Sequence, residues 1–394
     1  MTQTPGPAGD TPPGRPTPAG VQAHRVIFVD LARCLAVVFM LYGHAVSALL
    51  APAYRTGRWY EAWQFQRGLT STLFLLLSGF AFSLATSRHW ATHLSLTSPA
   101  GRRRLRRFAW FGLLGYALHY PVARLAQLPQ ATEAQWQAFL GVDVLQLIAV
   151  TFIGLQVLVP ITRTVRWHAA VALLLAVGVI VLTPVVWRAG WTPGLPLGVA
   201  AYLSLATGSQ FPLFPWSAYI LIGVAAGHAY GRWGAGHLAT FAHRVLLGGG
   251  VVLVAASMVL RPSAETVFGP GPWAWLPFDV ILRIGAGFLI LWVLALASTR
   301  MTRLPHAFGA VAQESLPIYV VHLCIVYGSP WNRGLLRLFG PTLEPVPMLL
   351  VVVALLAAMV LLASRWNWCK HAWPRTARAI GLVVGSVLFA MLLL

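Results

Sequence analysis

The chain reads as a succession of apolar stretches, each near the twenty residues that cross a hydrocarbon core as a helix, separated by short connections rich in arginine, proline and glycine. The stretches fall at about 28–50, 68–87, 105–125, 142–161, 167–187, 214–230, 245–260, 278–298, 308–328, 346–364 and 377–394. They predict an all-α, polytopic membrane bundle of about eleven transmembrane helices. The 105–125 stretch is interrupted by His119 and Pro121 and 214–230 is short, and the loss of either would invert everything downstream.

Residues 1–25 break the pattern. They are rich in Pro, Gly, Thr and Ala and lack large apolar side chains, so they predict a disordered cytoplasmic tail ahead of a single transmembrane domain over 26–394. A cleaved signal peptide is not expected, because no basic region opens the chain and the first apolar stretch is long enough to span.

Composition agrees with the pattern. The chain is 58% hydrophobic and 9% charged, against about 25% charged residues in an ordinary soluble domain, so the lipid bilayer is its first partner. A net charge of +19 would suggest nucleic acid in a soluble protein, but here arginine has to be sorted by position. Most of the 28 arginine and lysine residues fall on one side if the N-terminus is cytoplasmic, which predicts an N-in, C-out protein of a bacterial-type cytoplasmic membrane. No nucleic-acid partner is expected. Cys34, Cys324 and Cys369 are far apart and lack metal-ligand spacing, so neither a disulfide framework nor a metal site is indicated. The run Arg102-Arg-Arg-Leu-Arg-Arg107 reads first as an anchor on anionic lipid and second, through Arg103 and Arg104, as a site for phosphates of a cytosolic ligand. Nothing in the sequence fixes oligomeric state, and a homo-oligomer is compatible with it.

Ionisable side chains inside a span are costly and therefore candidates for function. The first stretch carries Asp30, Arg33 and His44. The eleven-residue step from Arg33 to His44 returns to within about 20° of the same helical face, and Asp30, three residues before Arg33, joins it. A polar seam thus runs about 16 Å along the axis, from near the cytoplasmic surface to the outer third of the membrane. Asp30 and Arg33 alone read most simply as an ion pair; His44, aligned with them, reads as functional. Further candidates at the outer level are His119, Asp143, Gln146, Tyr319, His322, and Asp279 with Arg283 as an i,i+4 pair. For each of these an interhelical hydrogen bond is an even alternative.

The segment from Phe28 to His44, with Asp30, Arg33 and His44 at these spacings, resembles the opening helix of transmembrane acyltransferases. That group includes acyltransferase family 3 and the heparan-alpha-glucosaminide N-acetyltransferases. Leu73-Phe-Leu-Leu-Leu-Ser-Gly-Phe80 is similar to its Phe-rich second helix, Leu316-Pro-Ile-Tyr-Val-Val-His322 to its late Leu-Tyr-x-x-His helix, and Val142-Asp-Val-Leu-Gln-Leu-Ile148 to the Leu-Gln element of the glucosaminide branch. Two departures stand out: Cys34 replaces a common glycine, and Phe211-Pro-Leu-Phe-Pro-Trp216 lies where eukaryotic glucosaminide enzymes carry an acidic segment.

The resemblance implies an acyl-CoA-dependent O- or N-acyltransferase. It would move an acyl group, most simply acetyl from acetyl-CoA, to an extracytoplasmic glycan or small acceptor. No metal is implied. His44 would act as general base or transient acyl carrier, helped by Asp30 and Arg33. Arg33, Arg103 and Arg104 would hold donor phosphates. Tyr319, His322, His119, Asp143, Gln146, Trp216, Asp279 and Arg283 would line the acceptor side. The rival reading is a proton-coupled secondary transporter or lipid-linked sugar flippase using the same seam as relay and gate, against which stands the lack of visibly similar halves.

Overall fold

In the computed structural model, residues 26–190, 194–234 and 236–393 are described; the tail expected over 1–25 lies outside them. Among the described residues the architecture is helical, with isolated β-bridges only. The main helices are α1 (Ile27–Leu49), α2 (Arg58–Ser87), α3 (Pro99–Leu118), α4 (Val144–Thr162), α5 (Val165–Arg188), α6 (Leu213–Trp233), α7 (Leu238–Phe268), α8 (Leu276–Thr299), α9 (His306–Gln313), α10 (Ser315–Val326), α11 (Pro345–Ala372) and α12 (Pro374–Leu393).

Seven of these, α1, α2, α4, α5, α7, α8 and α11, are long and apolar enough to cross a membrane, and α9 with α10 makes eight if the bent pair is one span. That is fewer than the eleven expected. The 105–125, 214–230 and 377–394 stretches fall in helices, α3, α6 and α12, but none of the three belongs to this set. In α3 the helix starts earlier than the apolar stretch: Ser98 caps it by accepting the Gly101 N–H at 3.0 Å, with Pro99 in the first turn. The arginine run 102–107 therefore lies on the helix and not in a loop, and the helix ends at His119, two residues before Pro121. The expected 308–328 span is two helices at 76°, broken at Glu314. Pro317 has no N–H to give the Gln313 carbonyl, so the helical ladder cannot run through.

α1 is the centre of the bundle. It packs on α2, α8, α9, α10 and α11, and most of its side chains are buried. α2 lies along α6 at backbone contact: a Cβ on Gly79 would run into the Ile220 carbonyl, and one on Gly223 into the Leu76 carbonyl. The Ser-Gly of the second helix is thus a close-packing contact. Phe28 meets Phe80 at one end of the α1/α2 pair, with ring centroids 5.7 Å apart, and Tyr42 meets Trp63 at the other, at 6.3 Å. Outward-facing Leu174, Val259, Leu350 and Leu361 are exposed, as expected of a surface that lipid covers.

Candidate active site

His44 lies in the last third of α1, on the wall of a cavity of about 450 Å³ bounded by α1, α2, α6, α8, α10 and the segment before α6. Along α1 the lining runs from Ser47 through His44, Gly43, Met40 and Phe39 to Ala36, one helical turn short of Arg33. Of the seam expected between Arg33 and His44, the part from Ala36 to His44 faces this cavity, lined there mostly by apolar residues, and Arg33 lies outside it. The long connection before α6 closes part of the mouth: the Gln210 and Phe211 N–H groups both bond the Val142 carbonyl, at 3.0 and 2.8 Å, which brings both residues into the wall.

The imidazole is held on two sides. Its Nδ1 is 2.9 Å from the Tyr327 hydroxyl, and its ring centroid is 5.2 Å from that of His322. His322 is fully buried, and its Nδ1 lies 2.9 Å from the Ile318 carbonyl. A carbonyl only accepts, so that nitrogen carries the proton. In the neutral ring Nε2 is then a bare acceptor, and no described protein group hydrogen-bonds it. His322 is not itself among the residues that line the cavity; it stands behind His44.

Tyr319, on the same face of α10 as His322, donates to Asp143 Oδ2 at 3.1 Å. Asp143 caps α4 by accepting the Val144 N–H at 2.7 Å, and its Oδ2 is 3.7 Å from His119 Nε2. His119 lines a second, open cleft of about 580 Å³ with Gln130, Gln135, Ser329 and Arg337. The two hollows thus meet across the Asp143 and His119 side chains.

Of the other expected acceptor residues, Trp216, Asp279 and Arg283 line the His44 cavity. Trp216 stacks on Trp187, with centroids 5.9 Å apart. The i,i+4 pair expected of Asp279 and Arg283 is replaced: Asp279 takes Arg261 at 3.4 Å, and Arg283 Nη1 donates to the Phe65 carbonyl at 3.2 Å. Gln146 is not among the lining residues. It is buried between α3 and α4, where a Cβ on Gly115 would strike its amide.

Asp30 and Arg33 pair at 3.5 Å at the opposite end of α1. Arg104 belongs to that end as well. It donates to Thr86 Oγ1 at 2.6 Å and lies over the Phe82 ring at 4.5 Å, so its guanidinium is folded onto α2. Arg103 is exposed on the first turns of α3. Cys34 donates its thiol to the Phe308 carbonyl at 3.0 Å, a packing role.

Two residues that sequence reasoning missed belong to the cavity. Tyr327 closes α10, and Arg67 lies on α2, which begins at Arg58, ten residues before the apolar stretch. Arg67, Gly68, Thr70, Ser71 and Phe74 all line the cavity, a helical spacing that carries α2 upstream of its apolar part.

The profile of the family described as "Heparan-alpha-glucosaminide N-acetyltransferase, catalytic" matches residues 25–248, which includes α1, α2 and the segment that caps the cavity. No curated protein matches the chain.

Proposed function

The chain belongs to the heparan-alpha-glucosaminide N-acetyltransferase catalytic family, and from that premise we propose that it moves an acyl group, most simply acetyl, from cytosolic acyl-CoA to an amine or hydroxyl of an extracytoplasmic glycan or related small acceptor. Membership implies a membrane transferase; the donor, the acceptor and the residue roles are our reading.

The observation that carries it is His44. An imidazole on a cavity wall, tied through Nδ1 to a hydroxyl 2.9 Å away, is arranged as a base. When Nδ1–H donates to the Tyr327 oxygen, Nε2 keeps its lone pair for the acceptor's proton. Attack of the acceptor nitrogen or oxygen on the thioester carbonyl breaks the C–S bond, and the proton held on His44 passes to the departing thiolate. Transient acylation of His44 is the other route, and the same geometry serves it.

The donor enters from the Asp30 and Arg33 end in this reading. Arg33 is one turn from Ala36 at the deep end of the cavity wall, so an extended pantetheine arm passing that turn would bring its thioester toward His44 while the phosphates stay at the surface. Arg103 is placed to assist them, whereas Arg104, engaged by Thr86, serves chiefly to dock α3 on α2. The acceptor enters from the other end, where Trp216, Tyr319, Asp143 and Arg283 surround the mouth. An N-terminus in the cytoplasm and a C-terminus outside complete this orientation.

The test is release of free thiol from acetyl-CoA by the purified protein in detergent, with and without amino sugars. Acceptor-dependent release is expected. Silence with every amine and hydroxyl sugar, with no binding of CoA, would return the polar cavity to the transporter reading.

A further inference from the structure

Neither arginine that lines the His44 cavity has an ion-pair partner among the described residues. Asp143, Asp279, Arg67 and Arg283 line it, but both carboxylates are engaged elsewhere: Asp143 by the Val144 N–H, the Tyr319 hydroxyl and nearby His119, and Asp279 by Arg261, which is outside the lining. The two arginines rest on neutral oxygens. Arg67 Nη1 donates to the Ser47 hydroxyl at 3.0 Å and Arg283 Nη1 to the Phe65 carbonyl at 3.2 Å. A guanidinium carries five N–H donors, so these contacts leave most of each one's hydrogen-bonding capacity unused, and no carboxylate among the described residues lies within ion-pair distance of either.

Two glycines seat the pair beside the reactive histidine. A Cβ on Gly43, the neighbour of His44, would touch the Arg67 stem at 3.5 Å. A Cβ on Gly68 would collide with the Arg283 guanidinium, which lies directly against that glycine. Aromatic faces support both cations, Trp63 under Arg67 at 5.5 Å and Phe65 under Arg283 at 5.3 Å. Cations at a membrane mouth without carboxylate partners are costly unless something else supplies the negative charge.

We propose that Arg67 and Arg283 form an anion-binding subsite at the mouth of the His44 cavity, holding a carboxylate or phosphate carried by the acceptor. Planar guanidiniums match the paired oxygens of either group. The attachment of the anion to an acyl acceptor rests on the acyltransferase reading; the capture of the anion does not. A lipid headgroup could supply the same chemistry, and the test separates the two sources.

Binding is measured by titration calorimetry on the purified protein in detergent, without donor, using D-glucosamine, glucosamine 6-phosphate and muramic acid. The two anionic sugars are expected to bind about tenfold or more tightly than D-glucosamine, the scale of a charge-assisted contact. That preference should disappear in Arg67→Gln, in Arg283→Gln and in Gly68→Ala. The last variant keeps both arginines and displaces only the flexible end of one, so a folded Gly68→Ala protein guards against a purely structural loss. Equal affinities in the wild type, or a preference that survives in all three variants, would overturn the proposal. So would loss of the preference on moving the wild type from phosphatidylcholine nanodiscs to nanodiscs containing phosphatidylglycerol, which would assign the pair to lipid. Direct competition between glucosamine 6-phosphate and CoA would assign it to the donor and equally refute the acceptor subsite. Acetyl transfer followed in parallel separates the two readings: transfer without anion preference sinks the subsite alone, and anion preference without transfer sinks the acyltransferase alone.

Discussion

The Tyr327 hydroxyl stands 2.9 Å from His44 Nδ1, and the two rings meet edge to face with centroids 5.5 Å apart. Residues on α1 and at the end of α10 thus fix one imidazole, its rotation as well as the nitrogen that faces the cavity. Tyr327→Phe keeps the ring contact and removes the hydrogen bond. Turnover should fall by about ten- to a hundredfold, the scale of a misplaced reacting group, with the KM for acyl-CoA unchanged. A variant with wild-type kcat would show that Nδ1 needs no partner, and a variant that fails size-exclusion chromatography would place Tyr327 in packing.

The parts of this site that sequence revealed are those set by one helix's own periodicity. His44 falls on the face that Asp30 and Arg33 predict because eleven residues are close to three turns, although only His44 of the three lines the cavity; Tyr319 and His322 likewise point together from α10, with centroids 5.8 Å apart. What sequence missed depends on partners far along the chain. Arg67 falls just outside the 68–87 apolar stretch because α2 outruns that stretch, its polar turns facing a cavity and not lipid. Asp279 pairs on periodicity with the nearest cation on its own helix, whereas Arg261 reaches it from a turn within α7. The break at Glu314 was lost because hydropathy averages over Pro317, although the proline itself was the signal.

That break carries its own prediction. Glu314 is 1% exposed, with Lys370 Nζ at 2.6 Å and Asn367 Nδ2 donating at 3.0 Å. Lys370→Met leaves a buried carboxylate with only a neutral donor. It should cost about 2 to 3 kcal/mol, below the ~3–5 kcal/mol for a fully buried pair because the lysine side chain is itself 42% exposed. Thermal unfolding in detergent checks this. Glu314→Gln in the same background should restore part of the loss, since it removes the charge that lost its partner; a further drop in the double variant would refute the account.

Orientation is testable by reporters. One inserted at Ser95 to Thr97, just before the Ser98 cap of α3, should read as cytoplasmic, and one fused after Leu394 should be active outside. The expectation follows from the arginine bias. Two reporters on the same side would mean that the number of crossings between them has the wrong parity, with α3 and α6 the first helices to reconsider.

Donor and acceptor ends should separate by mutation. Arg33→Ala is expected to weaken binding of a non-hydrolysable acyl-CoA by about tenfold, the scale of one charge-assisted phosphate contact, while Arg283→Ala leaves donor affinity near wild type. Arg33 sits with Asp30 at one end of α1 and Arg283 on Phe65 at the other, so no single ligand phosphate can depend on both. Titration calorimetry decides it, and equal losses would move the donor to the cavity mouth.

His44→Ala isolates chemistry from packing. If His44 is the base or the acyl carrier, transfer per folded molecule should fall by about a hundredfold or more, with expression, detergent stability and CoA binding nearly intact, because the proposed phosphate site at Arg33 is about 16 Å away along α1. If His44 only packs, its loss should be felt as instability, since the Tyr327 hydroxyl loses its partner in a largely buried setting. Activity would then track the amount of folded protein. His44→Gln sharpens the distinction, because an amide can still hydrogen-bond Tyr327 but cannot take a proton at neutral pH. A stable and inactive glutamine variant supports general-base or acyl-carrier chemistry at His44. A stable glutamine variant with wild-type turnover would leave His44 as a hydrogen-bonding strut, and the proton would have to be taken by another group; His322, buried behind the cavity lining with its bare Nε2 one ring from His44, is the first to test.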